Sequence, residues 1–244
     1  AMQNIIKCLD RANFEYEALV MGALASSYSV LTEEERDMGT VLIDIGAGTS
    51  EIAVYVDGSI KFSDVFPGGG NQITNDIAVA LRVPPNKAEE IKKRHGGALR
   101  TNLPASEEFL VPGVLGRASR NMASRDLASI IEARAEETFY FIKQKIETSG
   151  LNEKIGSGVV LTGGSACLKD MDELASRVFN VPVRIGNPRG IGGIDYILES
   201  PSFATCVGLL MYGEESRRTR REDNKAKGKV FNLFFSGIKK FLHK

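Results

Sequence analysis

The sequence contains no tryptophan and, in 244 residues, only two histidines and three cysteines. Cys8, Cys167 and Cys206 are scattered and form no CxxC pair, which argues against a disulfide framework or a zinc site and favours a reducing compartment. The second histidine lies in the C-terminal tail, so a Ser-His-Asp or histidine–metal site would depend on His95 alone. These absences disfavour triad hydrolases and histidine-based metal sites.

Long apolar runs and an excess of one charge are also missing. No run approaches the 18 or so residues of a membrane-spanning helix, and the charged, amphipathic start does not resemble a signal peptide. Because 31 basic residues balance 31 acidic ones, no overall field favours nucleic acid. We expect a cytosolic chain of one large domain or two modest ones, with no nucleic-acid partner.

Strand signals occur in two separate regions. The stretch TVLIDIGAGTSEIAVYVDGSIKFSDVF consists of apolar runs separated by a glycine turn and by Asp57-Gly58, a pair that favours a tight hairpin turn. It predicts three consecutive strands. Downstream, SGVVLTGGSA predicts a buried strand followed by a turn and a helix, and VPVRIGNP predicts a further short strand.

Apolar residues at helical spacing predict several helices between and around these strands. Asn71 is the expected N-cap of one helix, and Gly150 the expected C-cap of the longest. Short strands are expected near Phe109–Val111. The expected helices are residues 3–13, residues 72–82, the stretch PPNKAEEIKKRHGG that stops at Gly96, residues 124–149 and the stretch FATCVGLLMYG.

The C-terminal residues 229–244 have an amphipathic pattern. On a helical wheel their apolar residues, apart from Leu233, fall within an arc of about 140°, four lysines and His243 lie on the other side, and no acidic residue is present. A core helix would show the same stripe, but this one follows a charged stretch, 214–228, which favours an interfacial helix on an anionic membrane. The residues expected to face the membrane are Val230, Phe231, Phe234, Phe235, Ile238, Phe241 and Leu242, with Lys239 and Lys240 beside them.

Two glycine-rich turns contain the candidate ligand-binding residues of the sequence. In IDIGAGTSE, glycines let the backbone approach a phosphate closely, Asp44 is placed to hold a Mg²⁺-bound water, and Thr49 adds a hydroxyl. In VVLTGGSACL, Gly163-Gly164 allows a flat nucleoside to lie against the backbone. Taken alone, the first turn is better explained by a tight hairpin with an exposed acid, and the second has a small-residue strand-to-helix crossing as its alternative.

The order of these turns resembles the second half of actin-like ATPases, in which an acid–glycine turn and a TGG turn contact the nucleotide. Several longer stretches are similar to the FtsA family of bacterial cell-division proteins. They are LASSYSVLTEEERDMG, DIGAGTSEIAVYVDGSI, PGGGNQITNDIAVALRVPPNKAEEIKKRHGGAL, GVVLTGGSACL, VRIGNP and ATCVGLLMYG, and they cover most of residues 23–213. MreB-like and PilM proteins share the turns but match SSYSVL and PPNKAEEIKKRHG less well.

The resemblance implies an α/β fold of the actin-like, ribonuclease-H-like class: a mixed sheet flanked by helices, with an inserted α+β subdomain. No acid–glycine hairpin precedes residue 44, so we expect the second half of such a protein. The expected divisions are 1–38 as the end of the first half, 39–74 with 155–213 as the nucleotide-binding subdomain, 75–154 as the insertion, 214–228 as a flexible linker and 229–244 as a membrane-targeting helix.

The resemblance further implies ATP and Mg²⁺ as cofactors, with the metal held by Asp44 through water and the helix KAEEIKKRHG facing adenine and ribose. Because phosphoryl transfer needs charge neutralisation from both walls of a cleft, we expect weak nucleotide binding and little or no ATP hydrolysis. The residues implied to contact nucleotide are Asp44, Gly46, Gly48, Thr49, Ser50, Gly69, Gly70, Glu90, Lys93, Arg94, Gly163, Gly164 and Ser165.

FtsA-like proteins act as adaptors, and the resemblance implies the same partners here. These are the C-terminal peptide of FtsZ, anionic lipids at the inner face of the cytoplasmic membrane at the division site, other divisome proteins, and further copies of the chain in filaments. Arginine forks suit a peptide that carries carboxylates, although a solvated basic face is the alternative. The residues carried over for FtsZ-peptide binding are Arg120, Asn121, Arg125 and Arg134.

Two other classes stay open at this point. One is a PilM-like scaffold of pilus or secretion assembly, which does not require the amphipathic tail. The other is a catalytically active actin-like ATPase or a sugar-kinase-type phosphotransferase, for which the sequence shows no separate substrate-binding residues.

Overall fold

The computed structural model describes residues 2–113, 118–192 and 199–219. A mixed sheet of five strands forms its centre, in the spatial order β3-β2-β1-β6-β7, and β4 and β5 form a separate antiparallel pair. The strands are β1 (Thr40–Ile45), β2 (Ser50–Val56), β3 (Ser59–Phe66), β4 (Glu108–Val111), β5 (Arg120–Ala123), β6 (Val159–Thr162) and β7 (Val183–Ile185).

The sheet combines an antiparallel meander with a parallel half. β1 pairs with β2 and β2 with β3 in antiparallel register, and the predicted Asp57-Gly58 turn joins the last two, with positive φ at both residues. β1 pairs with β6, and β6 with β7, in parallel. Asp44 is therefore opposite Thr162 at the carboxyl ends of two adjacent strands, and the segments that follow them lie at the same edge of the sheet.

Helices surround the sheet and the strand pair. The linker predicted from residue 214 overlaps the last helix, which continues through residue 219. The helices are α1 (Met2–Arg11), α2 (Gly22–Val30), α3 (Glu33–Met38), α4 (Gly70–Leu81), α5 (Pro85–His95), α6 (Ser124–Thr148), α7 (Met171–Phe179) and α8 (204–219).

The predicted start of one helix, α4, is wrong. α4 begins at Gly70 with Gly69 as its N-cap, so Asn71 lies inside the first turn and is not the cap. The backbone N–H groups of Gly70 and Asn71 donate to the carbonyl oxygens of Gly46 and Ala47 at 3.0 and 2.8 Å. Because a neighbouring turn satisfies these donors, the helix needs no side-chain cap. Gly150, by contrast, follows the end of α6 with φ +71, as expected of a C-terminal glycine.

The three central strands, β1, β2 and β6, are buried on both faces because their residues alternate between two cores, whereas every second residue of β3 is exposed. Val41, Ile43 and Ile45 of β1 pack with Phe139 and other residues of α6 and α7. Leu42 of β1, on the opposite face, belongs to a cluster that includes residues of α2 and the first residue of α8. β1 is thus enclosed in a three-layer arrangement of helices, sheet and helices.

A third core holds the inserted unit together. Residues of α4 and α5, the β4–β5 pair and the first half of α6 form one cluster, in which Ile77, Leu127 and Ile131 are fully buried. The second half of α6 packs against the main sheet instead, through Phe139 and Ile142. The 25-residue helix α6 therefore joins the inserted unit to the sheet.

Within residues 2–113, 118–192 and 199–219, no helix is both long and apolar enough to cross a membrane. The apolar and basic residues predicted to bind lipid, Val230 to Leu242, lie outside the described part of the chain.

Candidate functional site

The two glycine turns of the sequence meet at the edge of the sheet. The turn between β1 and β2 is closed by a hydrogen bond from the backbone N–H of Gly46 to the carbonyl oxygen of Thr49, at 2.9 Å. The hydroxyl of Ser165, in the turn after β6, donates to the carbonyl oxygen of Gly46 at 3.0 Å. Parallel pairing of β1 and β6 makes this contact possible across a long separation in the chain.

Gly163 lets the second turn approach the first. Its φ is +87°, a conformation that residues with a side chain rarely adopt. A β-carbon at this position would collide with the Asp44 carboxylate and would lie 2.6 Å from the carbonyl oxygen of Ile45. The adjacent Gly164 differs, because the nearest neighbour of a β-carbon there would be the Ser202 hydroxyl at 3.9 Å.

A third turn, 67–70, completes the arrangement. Ser50 is buried, and its hydroxyl donates to the carbonyl oxygen of Gly68 at 2.7 Å. A β-carbon at Gly69 would lie 2.5 Å from the carbonyl oxygen of Gly46, so glycine is required for this close approach. The chain entering α4 is thereby held against the β1–β2 turn.

A cavity of about 400 Å³ lies between the three turns and α5. Its volume falls in the range of roughly 300–1,000 Å³ that small-molecule sites occupy. The lining residues are Gly46, Ala47, Gly70, Asn71, Glu89, Lys92, Lys93, Gly164, Ser165, Cys167, Leu168 and Ser202.

Lys92 forms the most buried charged wall of this cavity. Its ammonium donates to the carbonyl oxygen of Gly70 at 3.0 Å and to the Thr74 hydroxyl at 2.8 Å, and lies 2.7 Å from the Glu89 carboxylate. Thr74 also hydrogen-bonds to Glu89. Three protein groups thus surround the ammonium, which ties α5 to the first turn of α4.

The Glu89 carboxylate stays ionised in this position. Burial raises its pKa, but hydrogen bonds from Lys92 and Thr74 and the charge of Lys92 outweigh burial and bring the pKa below the ordinary value of 4.5. A carboxylate and an ammonium therefore face the cavity together. Because all three ammonium donors of Lys92 are used within the protein, the groups left for the hydroxyls of a ligand are the Oε1 oxygen of Glu89, as an acceptor, and the exposed Lys93, as a donor.

Asp44, the predicted partner of a metal-bound water, is partly buried and does not line the cavity. Its Oδ2 accepts hydrogen bonds from Ser26 of α2 at 2.5 Å and from Thr205 of α8 at 3.0 Å. The two hydroxyls are themselves 3.0 Å apart. Asp44 thus joins helices on one face of the sheet to the end of β1.

The structure brings together some of the predicted nucleotide contacts and separates others. Lys93 lines the cavity and pairs with Glu89 at 3.3 Å. Glu90 instead pairs with Lys87 on the exposed side of α5. Of the predicted set, Gly46, Gly70, Lys93, Gly164 and Ser165 line the cavity, Gly48, Thr49 and Arg94 are exposed outside the lining, and Ser50, Gly69 and Gly163 are buried behind it.

The sequence-based prediction missed Glu89 and Lys92. A signal for them exists: Ala88, Ile91 and Lys92 are the buried residues of α5, so the helical phase set by the two apolar ones places Lys92 on the inward face. A lysine on an apolar face indicates a buried partner, and Glu89 is three residues earlier on that side.

The four residues predicted to bind FtsZ peptide differ in their availability. Arg120 and Asn121 are exposed on β5, where Arg120 donates to the carbonyl oxygen of Leu81 at 3.2 Å and Asn121 to Glu108 at 3.2 Å. Arg125 donates from Nε to the carbonyl oxygen of Leu103 at 2.8 Å.

Most of the guanidinium nitrogens of Arg134 already donate hydrogen bonds within the fold. Asp76 accepts from its Nε at 2.5 Å and from its Nη2 at 3.1 Å, and Glu137 accepts from its Nη1. These bonds raise the pKa of the guanidinium above its ordinary value. Arg134 thus links α4 to α6, and its role in FtsZ-peptide binding stays a prediction.

Within the part of the chain that the structure describes, no three or more histidine, cysteine, aspartate or glutamate side chains are grouped so that they could hold a metal ion.

Solved structures with the same arrangement define the class of protein. MreB5 of Spiroplasma citri bound to ADP superposes with a TM-score of 0.74 at 16% identity, over 90% of this chain and 67% of that one. The PilM–PilN type IV pilus biogenesis complex gives a TM-score of 0.65 at 18% identity, over 87% and 57%. The chain has the actin fold, with a mixed sheet flanked by helices.

Sequence relatives identify the family. The family described as "Cell division protein FtsA" matches residues 41–208. The FtsA of Pseudomonas aeruginosa is 43% identical over 87% of this chain and 51% of its own length, and that of Escherichia coli K12 is 41% identical over 88% and 53%. The chain belongs to the FtsA family of cell-division proteins. It spans about half the length of these two relatives.

Proposed function

We propose that the cavity between the three turns binds ATP and that the chain works as part of a cell-division adaptor. The observation that carries the proposal is the convergence of two glycine turns, the start of α4 and an ionised Glu89–Lys92 pair around a single cavity. Nucleotide-bound structures of MreB5, with ADP or AMPPNP, share the fold and support a nucleotide as the ligand.

The residues present fit an adenine nucleotide. Gly164 leaves open space for a flat ring against the backbone, and Glu89 with Lys93 offers acceptor and donor groups for ribose hydroxyls. Ala47 and the Asn71 side chain lie at the end of the cavity formed by the β1–β2 turn and α4, where a phosphate would meet the turn and the Asn71 amide; the backbone N–H groups of Gly70 and Asn71 are already bonded to Gly46 and Ala47. Mg²⁺ would neutralise phosphate charge there.

Asp44 fits an indirect metal contact only. Both of its hydroxyl partners bond to Oδ2, which leaves Oδ1 as the oxygen that would accept from a Mg²⁺-bound water. We infer weak binding and little or no hydrolysis by this chain, because Lys92, the most buried cation of the cavity, is already held by three protein groups and is not free to neutralise phosphate.

Protection of Cys167 from a thiol reagent tests the nucleotide site. Cys167 lines the cavity, whereas Cys8 and Cys206 are exposed elsewhere. In a Cys8→Ser/Cys206→Ser protein, ATP–Mg²⁺ at millimolar concentration should slow alkylation of Cys167 several-fold. The matched control is Cys167→Ser/Cys206→Ser, in which Cys8 should react at an unchanged rate. Equal alkylation of Cys167 with and without nucleotide at about 10 mM, far above typical affinities, would refute the site.

As an adaptor, the protein would bind the C-terminal peptide of FtsZ at the exposed edge of β5. It would lie at the cytoplasmic side of the membrane at the division site. There it would assemble with other divisome proteins and, in filaments, with its own copies. Family membership and the solved MamK double helical filament, which has the same fold, support these steps. Arg120→Glu should weaken FtsZ-peptide binding about tenfold. Arg177→Glu, at an exposed arginine of α7 away from β5, is the matched control.

Membrane attachment is assigned to residues 229–244. A chain that ends after residue 219, where the described part of α8 ends, should stay in the supernatant when anionic vesicles are pelleted, while the full chain pellets with them. Equal pelleting of the two chains would contradict the assignment.

A further inference from the structure

The base end of the candidate nucleotide cavity is built from the TGG turn and from the segment around Pro201. The carbonyl oxygen of Pro201 accepts from the backbone N–H of Gly163 at 3.2 Å and from the Thr162 hydroxyl at 3.3 Å. These bonds hold Ser202 beside Gly164, where its hydroxyl oxygen would be 3.9 Å from an added β-carbon. Because a flat ring would lie against Gly164, Ser202 is placed to meet the edge of a base.

Two rotatable groups lie at this end of the cavity. The Ser202 hydroxyl accepts from the Ser200 hydroxyl at 3.0 Å, so its own hydrogen can turn towards a ligand. The Cys167 sulfur lies 3.5 Å from the Ser202 oxygen, and either atom can be the donor. Hydroxyl and thiol groups both donate and accept hydrogen bonds. Neither group therefore imposes a fixed pattern of donors and acceptors on a base.

Groups with a fixed hydrogen-bonding direction line other parts of the cavity. Within the part of the chain that the structure describes, no charged or amide side chain of the TGG turn or of residues 200–203 lines it. The Asn71 amide belongs to α4, and Glu89 and Lys93 of α5 pair with each other at 3.3 Å. These three side chains suit the phosphate and ribose of the proposed nucleotide, which leaves the base to the rotatable groups.

We propose that the site takes purine nucleoside triphosphates without selecting adenine over guanine, an inference that rests on the proposed nucleotide function. Adenine presents a donor at its 6-amino group and an acceptor at the neighbouring ring nitrogen, whereas guanine presents an acceptor and a donor at the same two places. A hydroxyl that both donates and accepts satisfies either base. Ser202 is the residue that meets this edge of the ring.

Solvent exposure also weakens discrimination between the two bases. Ser202 and Cys167 are both exposed. A site rejects the wrong ligand strongly when that ligand leaves a buried donor or acceptor unpaired. At an exposed group, water takes the place of the missing partner, so the cost is small. We therefore expect ATP and GTP to bind with affinities that agree within about threefold.

Protection of Cys167 from alkylation in the Cys8→Ser/Cys206→Ser protein measures this selectivity. The quantity compared is the concentration of ATP, GTP or inorganic tripolyphosphate, each with Mg²⁺, that halves the rate of alkylation. ATP and GTP should give half-protecting concentrations within about threefold of each other. Tripolyphosphate should protect about tenfold more weakly or worse, because it lacks the ring that lies against Gly164.

A carboxylate at position 202 should create the selectivity that the hydroxyl lacks. In Ser202→Asp, the carboxylate accepts from the ring N–H and the 2-amino group of guanine but faces an acceptor on adenine, so the ratio of half-protecting concentrations should shift towards GTP by about tenfold. Comparing the two nucleotides within one variant cancels any change in the reactivity of Cys167. Ser59→Asp, at an exposed residue of β3 outside the cavity, is the matched control and should keep the parental ratio.

The outcomes separate the base from the nucleotide site. No protection by any nucleotide refutes the site itself, and the inference falls with it. Protection by ATP with GTP more than about tenfold weaker keeps the site and overturns the inference. Equal protection by tripolyphosphate and ATP, or an unchanged ratio in Ser202→Asp, also overturns it, because Ser202 then does not meet a base. Matching ATP and GTP in the parent, with a shift in Ser202→Asp alone, supports it.

Discussion

Ser165 donates a hydrogen bond from its hydroxyl to the carbonyl oxygen of Gly46, at 3.0 Å across 119 positions of the chain. The same carbonyl accepts from the backbone N–H of Gly70 at 3.0 Å. One oxygen thus joins the turn after β1, the turn after β6 and the start of α4. The shape of the candidate cavity depends on this junction.

Loss of the Ser165 hydroxyl should loosen the cavity without unfolding the protein. Ser165→Ala removes one buried hydrogen bond, worth about 1 kcal/mol, and we expect about a fivefold loss of ATP affinity, measured through the concentration of nucleotide that protects Cys167. Ser129→Ala is the matched control, because its hydroxyl donates to the carbonyl oxygen of Arg125 within α6 and does not line the cavity. Equal losses in both variants would show that Gly46 does not depend on Ser165.

The neighbouring glycines of the TGG turn should respond differently to alanine. At Gly163 the φ of +87° and the collision with Asp44 predict a loss of at least 2 kcal/mol in the free energy of unfolding. At Gly164 a β-carbon meets only the Ser202 hydroxyl at 3.9 Å, so stability should change by less than about 0.5 kcal/mol. Because Gly164 lines the cavity, its variant should bind ATP more weakly. Urea unfolding and Cys167 protection measure the two effects.

Much of the architecture was predictable from local pattern. The Asp57-Gly58 turn, the long helix ending before Gly150 and the strand before Gly163 are all present. Each depends on turn chemistry or on an apolar period that neighbouring residues set by themselves.

Contacts between distant segments explain what was missed. Asn71 is a good cap in isolation, but Gly46 and Ala47 accept the N–H groups that a cap would satisfy. The helix α8 continues past residue 214, although Glu214, Glu215 and the arginines that follow show no apolar residues at helical spacing. The first part of this helix is anchored on α2, where Ser29 donates to the carbonyl oxygen of Ala204 at 2.7 Å. Such anchoring is invisible in a local window.

Lys92 should matter more for stability than its exposed neighbour. The Lys92 side chain is 8% exposed and that of Glu89 34%, so Lys92→Met leaves a partly buried carboxylate without its main partner. We expect a loss of about 2 kcal/mol in the free energy of unfolding. Lys93→Met, at a side chain that is 71% exposed, should cost less than about 0.5 kcal/mol.

A double-mutant cycle separates the pair from simple loss of packing. If the carboxylate is the reason for the loss, Glu89→Gln combined with Lys92→Met should be less destabilising than the sum of the single changes. Additive effects would show that the two side chains do not stabilise each other.

The pair between Glu35 and Arg184 should make stability depend on pH. Arg184 donates to both carboxylate oxygens of Glu35 at 2.6 and 2.7 Å, and the backbone N–H of Thr32 donates at 2.9 Å. Burial raises the pKa of Glu35, but these bonds outweigh it and lower the pKa below the ordinary 4.5. A carboxyl group whose pKa is lowered by folding stabilises the folded protein at pH values above its pKa in the unfolded chain. This contribution is lost as the pH falls through its pKa in the folded protein.

Glu35→Gln should therefore cost about 1–2 kcal/mol at pH 7, and the difference from the parent protein should shrink as the pH drops below about 4.5. Urea unfolding from pH 7 to pH 3 measures the two curves. Glu33→Gln on the exposed side of α3 makes the same change of charge without the Arg184 contact, and should leave the curve nearly unchanged. A constant difference between parent and Glu35→Gln across this range would mean that Glu35 contributes through its shape and not through its charge.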